Sequence, residues 1–143
     1  MLVRILTDQV QNLWPAIKHG LKESLPPTVI ANEQTMANTL AALLSGEMIA
    51  FAAVQNNDVY AIVILSFIWD NIVKEQSLLV FSLFAYRHID DEMWQQGFAE
   101  LRAFAKANFC NKIVAYSQNE RILDLVNDLG GSTAYRYIEL EVD

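Results

Sequence analysis

The sequence predicts one α/β (α+β) domain over residues 1–143, with a mixed central sheet of about six strands and helices on both faces. Three observations carry this. Short apolar runs and stretches of helical spacing follow one another in the order β, α, α, β, β, β, α, β, α, β. One run, Ser77 to Phe84, is apolar on both of its faces, as a strand covered from both sides must be. One long stretch, Asp90 to Asn108, has an unbroken helical stripe with acids at its start and bases towards its end.

Leu2-Val3-Arg4-Ile5-Leu6 is short, apolar and β-prone, and reads as the first strand. Thr7 or Asp8 then caps a helix whose apolar positions are Val10, Leu13, Trp14, Ile17 and Leu21. Pro15 removes a backbone donor there, so the helix is either kinked or starts nearer Asn12. A second helix begins near Asn32, buries Met36, Leu40, Leu43 and Leu44, and ends before Gly46.

Met48–Val54 and Val59–Trp69 form a hairpin around Gln55-Asn56-Asn57-Asp58, whose residues tolerate left-handed geometry. The Ser77–Phe84 strand follows. The long helix presents Met93, Gly97, Phe98, Leu101, Phe104 and Ala105 on one face. Lys112–Tyr116 is a strand, and Asn119–Leu129 is a short helix stopped by Gly130-Gly131. Thr133–Val142 is the last strand, with Tyr135, Tyr137, Glu139 and Glu141 on one face.

Composition narrows the function. A chain of 143 residues that is 53% apolar holds one sizeable core. The net charge is −7 and the 10 basic residues are scattered, which argues against nucleic acid as partner. The longest apolar run, Val59 to Trp69, is too short to cross a bilayer as a helix, so no membrane partner is expected. No basic region leads into an apolar run at the N-terminus, and the single Cys110 has no internal partner. Both point to the cytoplasm. The sequence has no phosphate-binding P-loop, no zinc-spaced Cys/His set and no nucleophile elbow.

The second half carries a resemblance. The run Leu83-Phe84-Ala85-Tyr86-Arg87 enters a long helix, and Tyr116 to Gly130 reads as a strand end, an Asn-led helix and a glycine stop. This resembles the GNAT family of acetyl-CoA-dependent N-acyltransferases, over nearly the whole chain. Small GNAT-like domains of degenerate pattern also occur among bacteriophage-encoded proteins, and the chain resembles those.

The resemblance implies acetyl-CoA or another acyl-CoA as cofactor, and a small-molecule or protein amine as substrate. It implies that backbone around Ser82, Leu83 and Phe84 polarises the thioester carbonyl. It also implies that Arg87 contacts phosphate, that His88 stands near the mouth as a base, and that Asn119 contacts cofactor. The family's phosphate loop has two glycines before the helix. Asp90 and Glu92 occupy those positions here, with Asp91 between them. The family's tyrosine acid corresponds to Val126, and its phenylalanine after the helix to Gly131.

Each candidate has a plainer role. Asp90-Asp91-Glu92 form an N-cap and acidic first turn, Asn119 is an N-cap, and Ser82 is a small core polar group. His88 with the acids is a poor metal site, because neighbouring helical residues diverge, and no metal is expected. Cys110 is structural, and Trp14, Trp69 and Trp94 are packing residues. The catalytic residues are not assigned. Two functions follow: an N-acetyltransferase with a degenerate pyrophosphate loop, or a non-catalytic binding or assembly module that keeps the fold and binds no cofactor. The tyrosine face of the last strand suits a homodimer made by edge pairing.

Overall fold

In the computed structural model, which describes residues 1–142, five strands form one sheet in chain order. β1 is Leu2–Ile5, β2 Met48–Gln55, β3 Asp58–Asp70, β4 Glu75–Ala85 and β5 Cys110–Ala115. The first four pair antiparallel, while β5 joins β4 in parallel. The helices are α1 Thr7–Ser24, α2 Glu33–Ser45, α3 Asp91–Ala107 and α4 Glu120–Asp128.

Alternation along the strands sends side chains to two cores. Ala50, Ala52, Ile62 and Ile64 meet Val10, Ile17, Leu21, Met36 and Leu43 of α1 and α2. Val63, Leu65 and Leu78 meet Leu101 and Ala105 of α3 on the other face. Phe104 fills the second core by packing edge-on against Phe51 and stacking near Phe67, with centroids 5.0 and 6.1 Å away. β4 lies between β3 and β5 and contributes to both cores, in line with its two-sided apolar sequence.

Local chemistry sets the element ends. Asn56 and Asn57 both have positive φ, 53° and 64°, and make the two-residue turn between β2 and β3. The Asn32 and Asp90 side chains each accept an N–H of the following helix, at 2.8 Å from Thr35 and from Met93. α4 ends in a Schellman motif: the Gly131 N–H reaches the Val126 carbonyl at 2.8 Å and the Gly130 N–H reaches that of Asn127 at 3.1 Å. Gly130 takes the left-handed φ of 82° that this requires.

Two expectations are corrected. Of the two readings of α1, the helix follows the one that starts at Thr7 and runs through Pro15, but its cap position is Leu6 rather than Thr7 or Asp8. Pro15 lies on the exposed side, while Val10, Ile17 and Leu21 on the opposite side are held by the core. The sheet has five strands rather than six, because Thr133–Val142 joins no ladder. The alternating pattern is a local property, but a strand also needs an edge and a surface to cover. Ile138, Leu140 and Val142 are 88%, 89% and 96% exposed, so these side chains cover no surface, and the segment bonds no strand edge.

Candidate functional site

β4 is longer than the strand beside it. Its pairing with β5 runs from Gln76 to Val80 and stops there, so Phe81–Ala85 continue without a partner on that side. The divergence begins at a bulge. Ile64 of β3 is opposite Ser82 and Leu65 is opposite Val80, which leaves Phe81 as a surplus residue. Phe81 and Ser82 therefore both face α1 and α2: Phe81 packs on that core, and the Ser82 hydroxyl lies 2.6 Å from that of Ser24. Ser24 donates onward to the Gly20 carbonyl at 2.6 Å, so Ser82 supplies the proton of the first bond.

Strand alternation then orients the backbone. The Tyr86 N–H bonds the Tyr60 carbonyl of β3 at 2.8 Å. Successive residues point their peptide groups to opposite sides, so Leu83 and Ala85 direct theirs away from β3, and Leu83 faces the opening beside β5. That opening is a cleft of about 1620 Å³ between the sheet, α3 and α4. Leu83, Ile89, Trp94, Ala115 and Val126 are among its walls.

The N-terminus of α3 forms one end of the cleft. Asp90 and Glu92 line it, and the Asp90 carboxylate is already bonded to the Met93 N–H. Arg121 of α4 reaches across and donates from Nη2 to the Ile89 carbonyl at 3.0 Å. Its guanidinium lies 5.8 Å from the centre of the Trp94 ring, and Trp94 stacks on Phe98. The Trp94 indole N–H is buried and has no acceptor among the described residues. At the other end of α4, a Cβ on Gly131 would stand 2.6 Å from Val126 Cγ1, so this position admits no larger side chain in place.

The six residues singled out in the sequence are dispersed by the fold. Among them, Leu83 lines the cleft. Ser82 is buried and turned to α1, and Phe84 packs against His19, Tyr86 and Gly20 on that face. Arg87 leans towards β3, with Asp58 at 3.5 Å and the Tyr60 ring at 5.5 Å. His88 is exposed. Asn119 caps α4, accepting from the Arg121 and Ile122 N–H groups at 3.0 and 3.4 Å. The cation beside the α3 N-terminus is thus Arg121, which sequence reasoning passed over. A signal was present: an arginine in the first turn of a helix opposes the helix dipole, so its place there needs another cause.

No protein-family model and no curated protein matches the sequence. Solved structures do. A ribosomal-protein-alanine N-acetyltransferase from Brucella melitensis biovar Abortus 2308 superposes with a TM-score of 0.72 at 10% identity, over 99% of each chain. A predicted acetyltransferase from Clostridium acetobutylicum, solved with acetyl-CoA, gives 0.73 at 13% identity, over 99% of this chain and 95% of that one. The aminoglycoside N-acetyltransferase AAC(6')-Iy, bound to the bisubstrate analogue CoA-S-monomethyl-acetylneamine, gives 0.74 at 11% identity, over 100% and 97%. The fold is that of the GNAT acetyltransferases. At these identities the likeness is one of GNAT architecture, and side-chain chemistry has to be argued position by position.

The cleft fits one part of an acyl-CoA better than another. An amide-bearing arm would find the Leu83 backbone and the apolar walls around it. A diphosphate at the α3 N-terminus meets Asp90, Asp91 and Glu92, with one guanidinium nearby. Among the described residues, His, Cys, Asp and Glu form no group of three or more that could hold a metal ion. No helix there is long and apolar enough to cross a membrane.

Proposed function

We propose that this chain is an acyl-CoA-dependent N-acetyltransferase for an amine substrate, with a degenerate pyrophosphate loop. The observation that carries the proposal is the unpaired stretch of β4, where Leu83 turns its backbone N–H and carbonyl groups towards the cleft. A fixed N–H aimed at the carbonyl that gains negative charge during acyl transfer is an efficient stabiliser, because it needs no reorientation.

In this proposal the Leu83 N–H is the donor to the acyl carbonyl. The free amine nitrogen forms the new bond to the acyl carbon, the carbon–sulfur bond breaks, and the thiolate leaves. The amine proton passes to solvent, and the thiolate takes its proton from solvent, since Val126 on α4 has none to give. Arg121 is assigned the phosphate contact in place of Arg87, because it stands beside the α3 N-terminus while Arg87 is engaged with Asp58 and Tyr60. The three carboxylates weaken that contact, so the expected affinity for acyl-CoA is low.

A thermal-shift titration with acetyl-CoA tests this directly. Binding to the native state raises the melting temperature in proportion to ln(1 + [ligand]/Kd). A rise across the micromolar to millimolar range is expected; a flat response at millimolar acetyl-CoA overturns the proposal. The acid cluster at the α3 N-terminus and Val126 favour a second function, a non-catalytic binding module on the same fold. A flat thermal-shift response together with no acetylation of any member of a panel of small amines and N-terminal peptides would favour that second function.

A further inference from the structure

We propose that the tip of the β3–β4 hairpin, together with Phe109, docks on an anionic lipid bilayer. The hairpin projects from the sheet. β2 begins opposite Ser66, so residues 67–70 of β3 have no neighbour on that side among the described residues. Between the paired Asp70 and Glu75 the chain turns through Asn71, Ile72, Val73 and Lys74. Exposed turns ordinarily take Gly, Pro, Asn, Asp or Ser. Ile72 and Val73 stand there instead, 90% and 58% exposed.

Phe109 lies beside the hairpin. Gln76 pairs with Trp69 on one side and with Cys110 on the other, and its side-chain amide donates to the Asn108 carbonyl at 2.9 Å. Phe109 follows α3 with a φ of 60°, a conformation open to glycine and costly for a phenylalanine. It gains no packing there, being 88% exposed. The donors of the tip are already satisfied. The Asp70 carboxylate accepts the Ile72 and Val73 N–H groups at 2.8 and 3.2 Å, and the Trp69 indole N–H donates to Asn71 Oδ1 at 2.9 Å. A turn with its N–H groups engaged can enter a less polar medium.

Area, shape and charge favour lipid over protein. Trp69, Ile72, Val73 and Phe109 together expose about 500 Å², at roughly 150–250 Å² for a fully exposed large aromatic. A standard specific protein interface takes roughly 800 Å² from each partner. A bilayer accepts a small convex tip without a matching groove. Three of the chain's five lysines flank the tip: Lys74 follows Val73, the Lys106 carbonyl accepts the Phe109 N–H at 3.2 Å, and Lys112 pairs with Ser77. The acids of the hairpin are Asp70, engaged by the turn, and Glu75. Anionic headgroups complement such a ring, whereas a second copy would set lysines against lysines.

The expectation of no membrane partner came from the lack of a spanning run, and a tip resting on the surface needs none. β4 starts at the tip and carries Leu83 near its other end, so the cleft stands roughly 25 Å from the docked surface and stays open. The inference does not depend on what the cleft binds.

Co-sedimentation of the whole protein with vesicles tests the proposal, with phosphatidylcholine alone and with an equal mixture of phosphatidylcholine and phosphatidylglycerol. Binding to the mixed vesicles is expected, and it should fall as salt rises. Ile72→Asp is expected to weaken it at least about tenfold. Phe109→Gly separates docking from folding: glycine suits the left-handed backbone, so the melting temperature should rise while vesicle binding falls. Ile138→Asp, in the other exposed apolar segment, should leave binding unchanged. No binding to the mixed vesicles, equal binding to both kinds, or binding that Ile72→Asp and Phe109→Gly leave intact overturns the proposal. Binding lost with Ile138→Asp would move the contact to that segment and also overturns it. So does a dimer in vesicle-free solution that Ile72→Asp dissociates, which would give the tip to a second copy.

Discussion

A methyl group added to Gly20 would stand 2.9 Å from the Tyr86 hydroxyl oxygen, and 3.1 Å from Phe84 Cβ. The close approach of α1 to β4 is therefore set by the absence of one side chain. Two effects oppose each other in Gly20→Ala. Helix propensity favours alanine by about 1 kcal/mol. Overpacking costs about 1–3 kcal/mol, and Phe84 Cβ sits on the strand itself and cannot swing aside. The expected outcome is a net loss of up to about 2 kcal/mol in urea unfolding, although the residue lies in a helix interior.

Tyr86 makes stability fall at high pH. Its hydroxyl donates to the Ala16 carbonyl at 2.6 Å, and burial raises its pKa above the ordinary 10.0. The unfolded chain loses this proton first, so the contribution is intact below pH 10.0 and declines from there as pH rises through the folded-state value. Tyr86→Phe is expected to lose about 0.5–1.5 kcal/mol at neutral pH and to flatten the alkaline decline, as measured by melting temperature against pH.

Arg121 and Arg87 separate by acetyl-CoA affinity. Loss of a hydrogen bond to a charged partner is worth about 1.5–3 kcal/mol, so Arg121→Ala is expected to weaken binding roughly 10- to 100-fold. Arg87→Ala is expected to leave it unchanged within error. Isothermal titration of both variants checks this, and the opposite order would return the phosphate contact to Arg87.

Asp90→Asn keeps the cap and removes its charge. Asparagine and aspartate cap equally well, so stability should hold within about 0.5 kcal/mol. Removing an anion about 4 Å from a phosphate gains at least about 1 kcal/mol even in bulk water, so acetyl-CoA should bind roughly fivefold tighter. Asp90→Ala is the control, with a loss of about 1 kcal/mol in stability.

How much of this was legible in the chain differs from element to element. The strand and helix order, the two-residue turn at Asn56-Asn57, and the caps at Asn32, Asp90 and Asn119 all follow from local chemistry, and the structure has them. The path of α1 past Pro15 was left open and the last strand was misjudged, because both depend on what lies across from them. A buried face holds α1 together through Pro15, and no neighbouring edge receives Thr133–Val142.

The site was harder still. Arg87 and Arg121 differ little as letters, and only the fold shows that one leans on Asp58 while the other crosses to Ile89. Leu83 matters for its backbone orientation, which a strand pattern leaves open until a bond such as that of Tyr86 to Tyr60 fixes the phase.

Phe81 gives the cleft a simple origin. With Phe81 deleted, Val80 and Ser82 would become neighbours, and every later side chain of β4 would still face the core it faces now. What would change is the path of the strand. A straight β4 could zip on to Tyr116 and Ser117 past the present end of β5, and the space beside Leu83 would be taken up by ladder. One surplus residue at this point therefore separates a forked sheet from a sealed one, without altering the hydrophobic pattern on either face.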